Sequence, residues 1–250
     1  MGARTSTSIA LVMAATLGVS SFAASAEDCS LALVLAMDAS RSMSTADFEL
    51  AFHGTAAALR SEEVQRAILA QSSPVALIAF EWSGQNRQQI VHEWSLLQSR
   101  EDIDEFASSL ENHERDGIGQ KTGLGSALAF SYDVLEKGPN CGRKVIDVSS
   151  DGYNSDGMTP AEFYAEVPSG DVTVNALVIG GDTNSYIWRY FLDEVLHGPG
   201  AFGLAIDEFE DYPRAIKEKL LRELTSPRLS GVPRLPFPNR SIQSAFVALD

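Results

Sequence analysis

Residues 31–44 read LALVLAMDASRSMS. Seven apolar residues, Leu31 to Met37, end at Asp38, and Ser40 and Ser42 follow on either side of Arg41. An unbroken apolar run of this kind is expected of a strand buried on both faces, as in a parallel sheet. Open parallel sheets bind ligands beyond the carboxyl ends of their strands. A buried strand that stops in small oxygen-bearing side chains therefore places those oxygens where a ligand would collect.

The rest of the chain alternates strands with amphipathic helices. Helices are expected over 45–59, with a capping box from Ser44 to Asp47, and over 62–70, 100–111, 122–136, 160–167, 185–196 and 213–224. Strands are expected over 74–82, 89–97, 143–149, 172–179 and 202–206. The polar link between the strands 74–82 and 89–97 is short, which predicts an antiparallel hairpin. The alternation predicts a mostly parallel sheet with helices on both faces.

Two further stretches carry oxygen donors at comparable places. The strand over 143–149 runs into Ser150-Asp151-Gly152, and Lys121-Thr122-Gly123 opens a helix from a glycine-containing loop, 116–120. Asp38, Ser40, Ser42, Thr122 and Asp151 together make an all-oxygen donor set, the kind taken by hard divalent cations. Only two of the five are charged and hydroxyls are weak ligands. A cation held this way keeps affinity for a carboxylate from outside. The same residue types also cap helices and make turns, and Asp-Gly is a common turn dipeptide.

Asp38-x-Ser40-x-Ser42, Thr122 and Asp151, in this order and at these places, resemble the metal-ion-dependent adhesion site of von Willebrand factor type A (vWA) domains. The resemblance runs from about Ser30 to Leu224, and the chain is similar to a group of secreted bacterial proteins built from this domain. It implies a three-layer α/β/α sandwich around a doubly wound, mostly parallel six-stranded sheet with one antiparallel edge strand. It implies that Ser40 and Ser42 ligate a divalent cation, most simply Mg²⁺ with Mn²⁺ or Ca²⁺ as alternatives. Thr122 would do so directly or through water, with Asp38 and Asp151 acting mostly through water. It implies, finally, a protein partner whose Glu or Asp carboxylate completes the shell. The reading is thus a binding module and not an enzyme. Two other classes stay open at this point: a hydrolase with a metal-activated water, and an envelope or matrix component that the metal only stabilises.

The ends of the chain read differently from its middle. Arg4, the apolar stretch Ile9 to Val19 and the small-residue box Ala24-Ser25-Ala26 predict a secretory signal peptide over 1–26. The domain is expected over 27–225, followed by a proline-rich tail over 226–250 containing Pro227, Pro233, Pro236 and Pro238. No segment after the leader is long and apolar enough to span a bilayer. The protein is expected to be exported, to the periplasm or beyond the cell. The formal charge of −15 disfavours nucleic acid, whose phosphates an acidic surface repels.

Two cysteines, Cys29 and Cys141, are an even count for an oxidising compartment and predict a disulfide. The vWA resemblance implies that the strands ending at Asp38 and Asp151 are parallel neighbours, which places both cysteines at the opposite end of the sheet. The four histidines show no zinc spacing; His113, closest to the threonine loop, is a candidate rim residue, as are Asn154 and Asp156. No Gly-x-Ser-x-Gly elbow surrounds Ser40.

Overall fold

The structure is a computed structural model that describes residue 2 and residues 27–115, 121–167 and 170–225. The leader read over 1–26 (Gly2 apart), the loop 116–120 and the tail 226–250 lie outside them. Six strands form one sheet in the order β3-β2-β1-β4-β5-β6. They are β1 (Leu31–Asp38), β2 (Val75–Trp82), β3 (Gln88–Leu97), β4 (Lys144–Ser150), β5 (Val172–Ile179) and β6 (Gly203–Ile206). All neighbours are parallel except β2 and β3, which pair antiparallel from Val75↔Leu97 to Trp82↔Gln88.

The apolar run of β1 is explained by where its side chains go. Leu31, Leu33, Leu35 and Met37 enter one core, and Ala32, Val34 and Ala36 enter the other. Helices α1 (Thr45–Arg60), α2 (Glu62–Leu69), α3 (Arg100–Glu111) and α7 (Tyr212–Thr225) cover the first core through Phe48, Phe52, Ile103, Phe106, Ile216 and Leu220. Helices α4 (Leu124–Lys137), α5 (Pro160–Glu166) and α6 (Tyr186–Tyr190) cover the second. Each fully buried Leu or Phe contributes about 1.5–3 kcal/mol of transfer free energy, so both faces of β1 and β2 hold the fold. No helix among the described residues is long and apolar enough to cross a membrane.

Most expected elements form, with shifted ends. Ser44 and Asp47 make the capping box of α1, and Ser99 with Asp102 makes another on α3. The helix expected over 185–196 divides. After α6, residues Phe191–Val195 form a π turn in which Leu196 N–H bonds to Phe191 C=O at 2.9 Å. That wider turn delivers His197 to Val174, whose N–H donates to the His197 carbonyl at 2.7 Å. The helix expected from Thr122 starts at Leu124, with Gly123 as its N-cap. Gly123 N–H donates to Ser83 C=O at 2.6 Å, and a Cβ there would lie 2.7 Å from the Gln85 nitrogen. The loop between β2 and β3 thus blocks the helix from extending back over Thr122.

Cys29 and Cys141 are joined in a disulfide with Cα atoms 4.5 Å apart. They precede β1 and β4 and lie side by side as a parallel bridge. The two central strands are therefore stapled at one end, while Asp38 and Asp151 emerge at the other.

Candidate metal centre

The end of β1 sets the depth of the site. Asp38 is 2% exposed and Ser40 is fully buried. Asp38 Oδ1 accepts from Ser40 N–H at 2.7 Å, an Asx turn that bends the chain as soon as the strand ends. The register Met37↔Ser149 brings Ser150 level with Asp38, and Ser150 Oγ donates to Asp38 Oδ2 at 2.5 Å. Both carboxylate oxygens are held before any outside group is considered.

The other expected residues close around this pair. Ser40 Oγ lies 3.1 Å from Ser42 Oγ, and Thr122 Oγ1 donates to Ser40 Oγ at 3.3 Å. Ser42 Oγ donates to Asp151 Oδ1 at 2.6 Å across 109 residues of sequence. All five side chains thus join one hydrogen-bonded cluster built from three loops. Its inner wall is buried Asp38, Ser40 and Thr122; Ser42 and Asp151 form a mouth open to solvent.

Thr122 is positioned from the β4–α5 loop. Its N–H donates to Ser155 Oγ at 3.1 Å, and its carbonyl accepts from Ser155 N–H at 2.8 Å and Asp156 N–H at 3.2 Å. Asn154 Oδ1 accepts from Gly125 N–H at 3.2 Å and Asp156 Oδ2 from Gln85 N–H at 2.9 Å. Asn154 and Asp156, read from sequence as rim residues, brace the threonine loop. A Cβ at Gly152 would lie 3.0 Å from Thr122 Oγ1, so glycine there is what lets the aspartate loop and the threonine approach.

The electrostatics of the cluster are unbalanced. Burial, then the nearby Asp151 charge, pushes the Asp38 carboxyl up to about 7, against the hydrogen bonds from Ser150 and Ser40. Burial likewise raises Asp151, against its bond from Ser42. No ion pair to Lys or Arg involves either aspartate among the described residues. Nor do three or more His, Cys, Asp or Glu side chains gather as metal ligands there; the donor set is two carboxylates and three hydroxyls. Such a set fits a hard divalent cation, which would lower the cost of holding both carboxylates ionised.

Two residues beside the cluster, Arg115 and Glu81, escaped the sequence reading, and a third, Ser150, enters it only as part of the Ser150-Asp151-Gly152 stretch. Its bond to Asp38 depends on the register of β1 with β4, which the sequence does not print. Arg115 reaches across to the β1–α1 loop and donates to the carbonyls of Ala39, Ser40 and Met43. Glu81 Oε2 lies 2.8 Å from His113 Nε2. His113 is a largely buried residue whose ring stacks on Phe52 at 5.3 Å, not an open rim group.

The family model described as protein of unknown function (DUF1194) matches residues 28–228. The chain belongs to this family. No curated protein matches the DUF1194 chain. Among solved structures, it is similar to proximal thread matrix protein 1 from the mussel byssus, at 16% identity and TM-score 0.53, covering 80% of this chain and 49% of that one. A structure of that protein is described as having a zinc-occupied MIDAS motif, the adhesion site named above. The chain is also similar to a von Willebrand factor type A protein from Catenulispora acidiphila (17% identity, TM-score 0.52, 78% and 43% covered). A third likeness is to the ArnB paralog VWA2 from Sulfolobus acidocaldarius (18% identity, TM-score 0.50, 77% and 46% covered). The DUF1194 chain spans less than half the length of each of these structures. At such identities the likeness establishes the fold, which is that of a vWA domain.

Proposed function

We propose that this protein is an exported, cation-dependent binding module. Asp38, Ser40, Ser42, Thr122 and Asp151 hold a divalent cation, most simply Mg²⁺, and a Glu or Asp carboxylate of a protein partner completes its shell. The cation supplies Lewis acidity toward that carboxylate. The chain supplies the rest: Asp38 and Ser150 fix the floor, Ser40, Ser42 and Thr122 present hydroxyl oxygens, and Asp151 stands at the mouth. The observation that carries this reading is the meeting of the three loops, above all Ser42 with Asp151 at 2.6 Å. The reading is one of binding and not of catalysis.

Export is supported by the disulfide, which belongs to oxidising compartments, together with the leader expected over 1–26. The acidic balance of the chain fits a partner docked through the cation better than through the bare surface.

Immobilised protein, exposed to an envelope and secreted-protein extract in Mg²⁺, should retain a partner that chelator releases. Ser40→Ala should retain none of it. Retention that ignores chelator and survives Ser40→Ala would overturn the proposal.

A further inference from the structure

Arg115 is the only residue outside the cluster, among those described, whose side chain donates to three carbonyls of the β1–α1 loop. Its Nε and Nη2 donate to Ala39 C=O at 3.2 and 2.7 Å, Nη2 to Ser40 C=O at 2.5 Å and Nη1 to Met43 C=O at 3.0 Å. These carbonyls bracket Ser40 and Ser42, the two hydroxyl ligands of the cation reading. The guanidinium is itself braced, with its Cζ 5.6 Å from the Phe48 ring centroid. Two residues earlier, His113 is tied to Glu81 at 2.8 Å and stacked on Phe52. Glu81 pairs in register with Met37, one residue before Asp38. The segment leaving α3 is thus lashed to the neighbouring strand and ends in a planar, five-donor fork gripping the ligand loop.

Loops on protein surfaces relax unless their backbone groups are held, and groups that orient metal ligands commonly cost 10–100-fold in affinity when removed. We infer that Arg115 is a positioning residue of the cation site: it holds the Ala39–Met43 loop so that the Ser40 and Ser42 hydroxyls are preset for the ion. This rests on the cation reading above.

The inference makes a prediction opposite in sign to simple electrostatics. Arg115 is a positive charge near Asp151 and repels a cation bound there. Deleting it as a charge alone should tighten cation binding. Deleting it as a clamp should weaken binding. Arg41, exposed in the same loop, is the matched control, since its loss removes one charge and none of the three carbonyl bonds.

The test is a Mn²⁺ titration of the wild type, Arg115→Ala and Arg41→Ala, followed by the paramagnetic resonance of free Mn²⁺. It is paired with amide hydrogen exchange over 39–43 in chelator. We expect Arg115→Ala to bind about tenfold or more weakly and its 39–43 amides to exchange faster, with Arg41→Ala equal to wild type or tighter. Arg115→Gln carries the same comparison should Arg115→Ala not fold. Wild-type binding with an Arg115→Ala affinity equal to or tighter than wild type would overturn the inference. If the wild type itself binds no Mn²⁺, the cation reading fails instead. Exchange then decides the clamp: unchanged protection of 39–43 in Arg115→Ala overturns it, and faster exchange upholds it.

Discussion

Two aspartates, one inside strand β4 and one just after it, live in opposite circumstances. Asp147 lies inside the sheet, and Asp151 follows its carboxyl end. Asp147 faces Glu223 of α7, and Lys219 joins the two: its Nζ lies 2.6 Å from Asp147 Oδ1 and 2.7 Å from Glu223 Oε1, with all three side chains essentially fully buried. Asn175 Nδ2 donates to Glu223 Oε1 at 2.8 Å. Asp151 faces Asp38, with hydroxyls and backbone N–H groups around them and no lysine or arginine ion pair among the described residues. The inner pair has a resident cation and no opening. The outer pair has an opening and no directly paired cation; Arg115 acts on Asp151 only through space, its donors spent on main-chain carbonyls. A buried carboxylate pair needs a counter-charge or a proton. On the proposed cation reading, the fold supplies the counter-charge where charge is structural and leaves it to solution at the open site.

The largest effect concerns what aligns β1 and β4 in both regions. Replacing both cysteines, Cys29→Ser with Cys141→Ser, should lower stability by up to about 4.7 kcal/mol on the chain-entropy model for a loop of this size. Chemical denaturation measures it. The bridge lies at the far end of the strands, so the surviving folded protein should keep its cation response. Loss of that response would show that the staple also sets the ligand geometry.

Next comes Lys219→Met, which keeps the stem and removes the resident cation. It leaves two buried carboxylates facing each other and should cost about 3–5 kcal/mol, read as a fall in denaturation midpoint. An effect under about 1 kcal/mol would break the comparison, because the inner pair would then need no counter-charge.

A smaller effect is a pH dependence. Burial and Glu223 raise the Asp147 carboxyl to about 7 against the opposing pull of Lys219. An acid whose folded value exceeds its unfolded value of about 3.9 holds a proton in the fold that it loses on unfolding. Its contribution is full at low pH and is lost as pH rises through that window. In chelator, stability should therefore increase on lowering pH from 7.5 to 5.5. Asp147→Asn should remove on the order of 1 kcal/mol of that change. A mutant slope equal to wild type would remove Asp147 from the account.

Much of the outer region was legible in the sequence. The run Leu31 to Met37 marks a strand buried on both faces, and Asp38, Ser40, Ser42, Thr122 and Asp151 stand at strand and helix ends where the topology brings them together. The inner region was not. Asp147 reads as a polar residue between the apolar Ile146 and Val148 of a strand, and Lys219 and Glu223 as an ordinary i,i+4 pair on an amphipathic helix. Only the packing of α7 on the sheet makes them a cluster. Arg115 was hidden for the same reason: a guanidinium that bonds main-chain carbonyls leaves no complementary residue type to find. The start of α4 was misplaced because close approach of Gly123 to the β2–β3 loop, not local propensity, decides where that helix begins.

The central claim is that the outer pair takes its cation from solution. Thermal unfolding of the protein in chelator, then with Mg²⁺, Mn²⁺ or Ca²⁺, beside Asp38→Ala, tests it most directly. At a hundred times its dissociation constant a cation should stabilise the wild type by about 2.7 kcal/mol, a few degrees in Tm for a domain of this size, and leave Asp38→Ala unmoved. An equal shift in both proteins, or none in the wild type with any of the three ions, would contradict it.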